Sequence, residues 1–222
     1  SLAIPTATTF REIPVRVLEL RRADLNGKLK AAGRPTKLSF THLIAWALVR
    51  GCREFPGMGT AVLSRSDGTY RLDPEHVNLG LAVDVERKDG SRGLVVPVLK
   101  AAEAMDFGGF LATYEGLVEK ARTNKLMPDD FAGATMTLTN PGGLGTVASV
   151  PRLMPGQGTI IATGAIAYPP EFREMEPAAA KGLGISKVMM LTSTYDHRVI
   201  QGAESGSYLR LVDEMLQGGH EF

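Results

Sequence analysis

A histidine stands within Tyr195-Asp196-His197-Arg198-Val199-Ile200-Gln201-Gly202, directly after the β-rich run Lys187 to Tyr195 and shortly before a glycine that opens a helix-like segment. A neutral imidazole held at a strand end is well placed to take a proton from a thiol or hydroxyl as that group attacks a substrate. The flanking Asp196 and Arg198 read as making structural salt bridges or hydrogen bonds rather than as reacting groups. The other histidines, His42, His76 and His220, have no Asp, Glu or Cys at ligand spacing, so no metal site is expected. A single cysteine, Cys52, excludes an internal disulfide and a Cys-based zinc site within these residues. It lies in a helical apolar pattern and reads as core packing.

To hold such a histidine the chain needs a strand before it and a helix after it. Lys187 to Tyr195 is the strand, and Ala203 to Leu216 is the helix, with Tyr208, Leu209, Val212 and Leu216 on one face. Upstream, Ser1 to Phe10 reads as extended and leads into an expected edge strand at 13–17, because Pro14 cannot donate to a ladder. Leu18 to Ala32 has a helical mix. Ser39 to Phe55 is the clearest early helix, with Ser39 as N-cap and Phe40, Leu43, Ile44, Ala47, Leu48 and Gly51 at helical spacing. Gly59 to Leu72 predicts a hairpin turning at Ser66-Asp67-Gly68. Val77 to Val85 alternates as one strand with a single buried face, and Leu94 to Leu99 as a second strand interrupted by Pro97. Glu103 to Thr123 predicts a long helix whose stripe is Phe107, Phe110, Leu111, Tyr114, Leu117, Val118 and Ala121. Further strands are expected at Ala134 to Thr139 and Thr159 to Ala167, with an excursion over Glu171 to Ala180. Strands and helices alternate irregularly without an internal repeat, which implies one α/β domain with a mixed sheet covered by helices.

Between the last strands lies Asn140-Pro141-Gly142-Gly143-Leu144-Gly145. It lacks the Lys-Ser/Thr of a P-loop and the order of a dinucleotide fingerprint, so its glycines are read as serving a tight turn or close backbone approach. The chain has 222 residues, 44% hydrophobic and 22% charged, and a net charge of +1, which points to no nucleic-acid or anionic-membrane partner. The first residues show no charged start with an apolar run, and no apolar stretch nears the ~20 residues of a membrane span. A cytoplasmic location is the expectation.

Four stretches together resemble the catalytic domain of the acyltransferase component of 2-oxo acid dehydrogenase complexes, a relative of chloramphenicol acetyltransferase. They are the helix Lys37 to Phe55; the strands Val77 to Val85 and Gly93-Leu94-Val95-Val96-Pro97-Val98; the run Lys125-Leu126-Met127-Pro128 through Gly133-Ala134-Thr135-Met136-Thr137-Leu138-Thr139-Asn140; and the Asp196-His197-Arg198-x-x-x-Gly202 motif. The wording from Ile200 to Gly206 is most similar to the acyltransferase domain fused within actinobacterial 2-oxoglutarate dehydrogenase/decarboxylase.

The resemblance implies a chloramphenicol acetyltransferase-like two-layer sandwich assembled as a homotrimer. Residues 1–222 would be one catalytic domain excised from a longer multidomain enzyme, with a thiamine-dependent decarboxylase region on the same polypeptide. It implies transfer of a succinyl group between coenzyme A and a lipoyl group supplied by a separate carrier domain, with no metal in this domain. His197 would be the general base. Thr139, followed by Asn140, would be the oxyanion donor, meeting the histidine across the trimer interface. Thr137 is its rival on the same strand face, lying deeper. Gln201 stands where the family usually carries Asp; it can hydrogen-bond but cannot form an ion pair. Arg152, Lys181 and Lys187 are the cations considered for the phosphates of coenzyme A, and the sequence does not choose among them. Two other readings stay open: a non-catalytic trimeric assembly core of the same enzyme, which Gln201 favours, and an O-acetyltransferase acting on a small hydroxyl compound.

Overall fold

The structure, a computed structural model, describes residues 4–86 and 89–220. Among the described residues, ten strands and five α-helices follow in order. They are β1 (Thr6–Pro14), α1 (Arg16–Ala31), α2 (Phe40–Gly51), β2 (Ala61–Arg65), β3 (Gly68–Leu72), β4 (Leu79–Leu81), β5 (Val83–Glu86), β6 (Arg92–Val95) and β7 (Val98–Leu99), then α3 (Phe107–Arg122), β8 (Met136–Thr139), β9 (Thr159–Thr163), α4 (Pro177–Gly182), β10 (Val188–Asp196) and α5 (Gly202–Leu216). Six strands form one mixed sheet in the order β1-β10-β9-β8-β4-β7, while β2-β3 and β5-β6 are separate two-stranded ribbons. Strands β9, β8 and β4 run parallel, and the other pairings of the large sheet are antiparallel.

The two faces of the large sheet differ in chemistry. Odd positions of β1 and β10 (Ile13, Met189, Leu191, Tyr195) join even positions of β8 (Met136, Leu138) in the core under the helices. Helix α5 lays Tyr208, Leu209, Val212 and Leu216 on this face, the stripe expected from the sequence. Tyr208 donates to the Leu48 carbonyl at 2.9 Å, tying α5 to α2. Gly51 lets the two helices approach, since a Cβ there would meet the Tyr208 ring at 3.0 Å. Cys52 lies in the same core, 3.5 Å from Met136 Sδ, and burial pushes its thiol pKa up to about 12. It is a packing residue.

The opposite face is lined by threonines whose hydroxyls bond one another, nearby backbone or the Gln157 side chain. Thr8 and Thr194 hydroxyls are 2.9 Å apart, Thr192 donates to the Ser149 carbonyl at 2.6 Å, and Thr137 donates to Gln157 Oε1 at 2.7 Å. The segment 146–158 crosses this face and is pinned through Leu153, which is 3% exposed.

Several boundaries depart from expectation: β9 ends at Thr163 rather than Ala167, α2 ends at Gly51 rather than Phe55, and three further departures have a visible cause. The edge strand ends at Pro14, and the chain enters α1 at Arg16 rather than continuing extended to Val17. The alternating run from Val77 is two strands. Leu81 donates to the Pro97 carbonyl at 2.8 Å and Ala82 to the Leu138 carbonyl at 2.9 Å; the chain then leaves the sheet to form the β5-β6 ribbon. All three residues of β4 are buried, so it has no exposed face. Helix α3 begins at Phe107, because Asp106 caps it by accepting from Gly109 N at 2.7 Å, while Glu103 sits in a separate helical turn.

Helix α2 is buried almost all round rather than along one stripe, because α1, α3 and α5 all pack on it. Its start is a reciprocal capping box: Ser39 Oγ accepts from His42 N at 3.3 Å, and His42 Nδ1 accepts from Ser39 N at 3.0 Å. With Nδ1 an acceptor, Nε2 carries the proton and donates to Glu115 at 2.8 Å. Burial holds the His42 pKa below 6.5, and the neighbouring carboxylate offsets this only in part. A depressed histidine pKa means the unfolded chain takes up the proton first as pH falls. This contribution to stability is therefore present above pH ~6.5 and lost below it. Protonation at Nδ1 also sets two donors against each other and opens the cap. His42→Gln keeps a capping-box side chain without the titration, so its urea midpoint should change less between pH 7.5 and 5.5 than that of the unmodified chain.

Candidate active site

His197 sits on a short turn closed by backbone bonds. Val199 N and Ile200 N donate to the Asp196 carbonyl at 3.2 and 3.0 Å. Ile200 is fully buried and anchors the turn from below. His197 N donates to the Pro5 carbonyl at 2.9 Å, so the backbone on both sides of the ring is fixed. The imidazole itself is exposed and meets the Tyr195 ring edge-on, 5.8 Å between centroids.

Asp196 and Arg198, expected to serve structure, do so by pairing with each other. Arg198 Nε and Nη2 donate to the two carboxylate oxygens at 2.8 and 2.6 Å, and Arg198 N adds a third bond at 3.1 Å. The Asp196 side chain is 3% exposed, so without its partner a buried carboxylate is left with one backbone donor. Removing one member of a buried pair costs about 3–5 kcal/mol. Because Arg198 is partly exposed, Arg198→Ala should fall near the lower end, read as a drop in the urea midpoint at unchanged slope.

Gln201 is exposed and occupies the N-cap position of α5, where its side chain makes no capping bond; its carbonyl accepts from Ser205 N at 3.0 Å. Asn140 bridges two elements, donating to Thr41 Oγ1 at 2.8 Å and accepting from Gly142 N at 3.1 Å. The glycines after it serve the tight turn expected of them. Gly145 has φ +84°, and a Cβ on Gly142 would stand 2.3 Å from the Gly164 carbonyl oxygen.

Thr139 lies at the far end of β8 and lines a cleft of about 790 Å³. Thr137 lines it too, but is buried and engaged with Gln157. The walls are largely apolar, with Leu94, Val95, Val96, Met154 and Ile160 among them. Of the three cations considered for an anionic ligand, Arg152 lines this cleft. Lys181 and Lys187 lie together in a different groove, where Lys187 pairs with Glu19 at 3.2 Å. Gln157 was not singled out from the sequence, because no periodicity marks 146–158; Pro155-Gly156 signals only a turn.

The register shows which residues the chain does not bring together. Thr139 pairs with Ala162, and Ala162 with Thr192, so Asp196 stands four residues beyond the row of Thr139. At roughly 3.3 Å per residue and 4.8 Å between strands, that is about 13 Å along the sheet and 10 Å across it. Thr139 and the histidine after Asp196 are therefore some 16 Å or more apart in one chain, and they do not form one site within it.

Among the described residues, no cluster of three or more His, Cys, Asp or Glu side chains could hold a metal ion. Among them, too, no helix is long and apolar enough to cross a membrane.

Residues 1–221 match the catalytic domain of 2-oxoacid dehydrogenases acyltransferases. A multifunctional 2-oxoglutarate metabolism enzyme of Mycobacterium sp. (strain JLS) is 50% identical over 216 residues, which is 97% of this chain and 17% of that protein. The chain thus spans about a sixth of the length of the curated relatives it matches. Among solved structures, the cubic core of the pyruvate dehydrogenase multienzyme complex superposes with a TM-score of 0.79 at 25% identity, over 98% of this chain and 83% of that one. Chloramphenicol acetyltransferase superposes with a TM-score of 0.60 at 16% identity, over 96% of this chain and 89% of that one, so the fold is of that type. The sheet and its helical layer, the strand-end histidine motif and the match along almost the whole chain agree, and the chain belongs to the acyltransferase catalytic-domain family of the 2-oxoacid dehydrogenases.

Proposed function

We propose that this domain transfers a succinyl group between coenzyme A and the dihydrolipoyl arm of a carrier domain, as part of a longer enzyme that decarboxylates 2-oxoglutarate. The name carried by the curated relatives supports the choice of acyl group, since decarboxylation of 2-oxoglutarate leaves a four-carbon acid. Coenzyme A and the lipoyl arm are the two substrates, and no resident cofactor is required of the domain. The observation that carries the reading is the rigid turn that presents an exposed His197 at the sheet end.

His197 takes the proton of the attacking thiol. Such thiols have pKa values near 8.5, so at neutral pH most are protonated and need a base. The thiolate adds to the thioester carbonyl, and Thr139 donates to the oxyanion that forms. Collapse of the intermediate expels the other thiolate, which takes the proton back from His197. Because the two residues stand at opposite ends of one chain's sheet, the site needs His197 of one protomer beside Thr139 of another. A closed ring of three, the homotrimer, supplies three such junctions.

A second reading is favoured by Gln201, a neutral and uncapping residue near the histidine: the domain would then be a trimeric assembly core without chemistry. Transfer from succinyl-coenzyme A to dihydrolipoamide by the purified chain decides between them. Turnover is the expected result; no transfer by a folded, trimeric protein establishes the assembly core instead.

A further inference from the structure

Among the described residues, the Thr139 cleft has one charged side chain in its lining. Its other polar groups are the hydroxyls of Thr137 and Thr139 and the amide of Gln157, and the rest is backbone or apolar wall. The charged side chain among the described lining residues is Arg152. Its backbone is held on both sides: Ser149 accepts from Thr192 at 2.6 Å, Leu153 is plugged into the interior, and Gly158 N donates to the Thr135 carbonyl at 3.0 Å. The arginine is thus carried by an anchored crossing segment, above the strand that bears Thr139.

We propose that Arg152 is a specificity-determining residue, holding the distal carboxylate of a dicarboxylic acyl group while the thioester end lies at Thr139. This rests on the acyltransferase reading of the cleft and names the feature that selects among acyl groups. A carboxylate drawn into an apolar cleft loses its water and needs a cation in exchange. The planar guanidinium fork matches a carboxylate with two parallel bonds, and a neutral acyl chain gains nothing from it. In a four-carbon dicarboxylic acyl group the distal carboxylate is two methylenes from the thioester carbon. A cation that reads it must therefore share a cleft with the hydroxyl that meets the thioester oxygen, as Arg152 does with Thr139. The phosphates of coenzyme A offer the same anionic chemistry, but the whole pantetheine arm separates them from the reacting sulfur.

Succinyl-coenzyme A and butyryl-coenzyme A separate the two sources, because they share every phosphate and differ only at the acyl terminus. Arg152 is exposed, and a urea midpoint measured for Arg152→Gln beside the rates separates any loss of fold from loss of substrate recognition. A hydrogen bond to a charged group contributes enough that kcat/KM for succinyl-coenzyme A should fall by ~10–10²-fold in this variant. The value for butyryl-coenzyme A should stay within about twofold, and Arg152→Lys should recover part of the succinyl rate as a simple point charge. An equal loss on both donors, with weaker binding of free coenzyme A, would make Arg152 a phosphate contact and overturn the proposal; no loss on either would overturn it as well. If the unmodified chain transfers neither acyl group, the acyltransferase reading fails on its own. Calorimetric binding of the stable thioethers carboxypropyl- and butyl-coenzyme A then still decides the role of Arg152. A preference for the carboxylate form that disappears in Arg152→Gln upholds it, and no such preference ends it.

Discussion

His197→Ala should lose ~10²–10⁴-fold in the rate of acyl transfer to dihydrolipoamide, the contribution of a positioned general base. Stability should not follow. The ring is exposed and meets only the edge of Tyr195, while the turn beneath it is closed by the backbone bonds to Asp196 and Pro5 and by the buried Ile200. The urea midpoint of the variant should therefore match that of the unmodified chain, and the loss should appear in kcat and kcat/KM alike, as for a group that acts in the transition state. Equal rates in the two proteins would remove His197 from the chemistry.

Thr139→Ala should cost ~10²–10³-fold, the effect of deleting one preorganised oxyanion donor. The rival hydroxyl separates cleanly from it. Thr137 is buried and spends its proton on Gln157, so Thr137→Val should disturb the cleft wall and leave most of the rate. The register adds a sharper test. Because His197 and Thr139 of one chain lie some 16 Å apart or more, the proposed mechanism requires each site to draw on two protomers. Chains carrying His197→Ala, unfolded and refolded together with an equal amount of Thr139→Ala chains, should regain activity that neither has alone. Random mixing in a ring places an intact histidine beside an intact threonine at about a quarter of the junctions, so recovery of roughly that fraction is expected. A mixture as inactive as its components would show that both residues serve one chain's site or none.

How much of this was legible in the sequence differs from element to element. Helix α5 and the stripe of α3 were legible because one face is apolar and the other is not, and the structure buries those stripes. The run from Val77 misled for a reason particular to its place. Its odd residues alternate as in a half-exposed strand, yet β4 lies between β8 and β7 and is buried on both faces. Gly80 is there for room, since a Cβ would stand 2.7 Å from Thr137 Oγ1. The histidine turn was legible through Asp196-His197-Arg198 and the structural role of its two charges, though not that they pair with each other. The cleft was not, because 146–158 carries no period; single side chains place it, Leu153 pointing inward and Gln157 reaching back to Thr137. No local pattern encodes a bond between residues twenty positions apart.

The threonine-lined face of the sheet has a consequence for whatever comes to lie on it. Thr8 with Thr194, Thr192 with Ser149 and Thr137 with Gln157 are each already satisfied inside the chain. Covering a polar surface normally strips water from groups that must then find new partners, and each one left unmatched is penalised. Here those hydroxyls have given up their water on folding, so an incoming surface need offer them nothing in return. A face that looks hydrophilic in the sequence thus behaves toward a neighbour as a dry one, for which close fit of shape matters more than matching donors to acceptors.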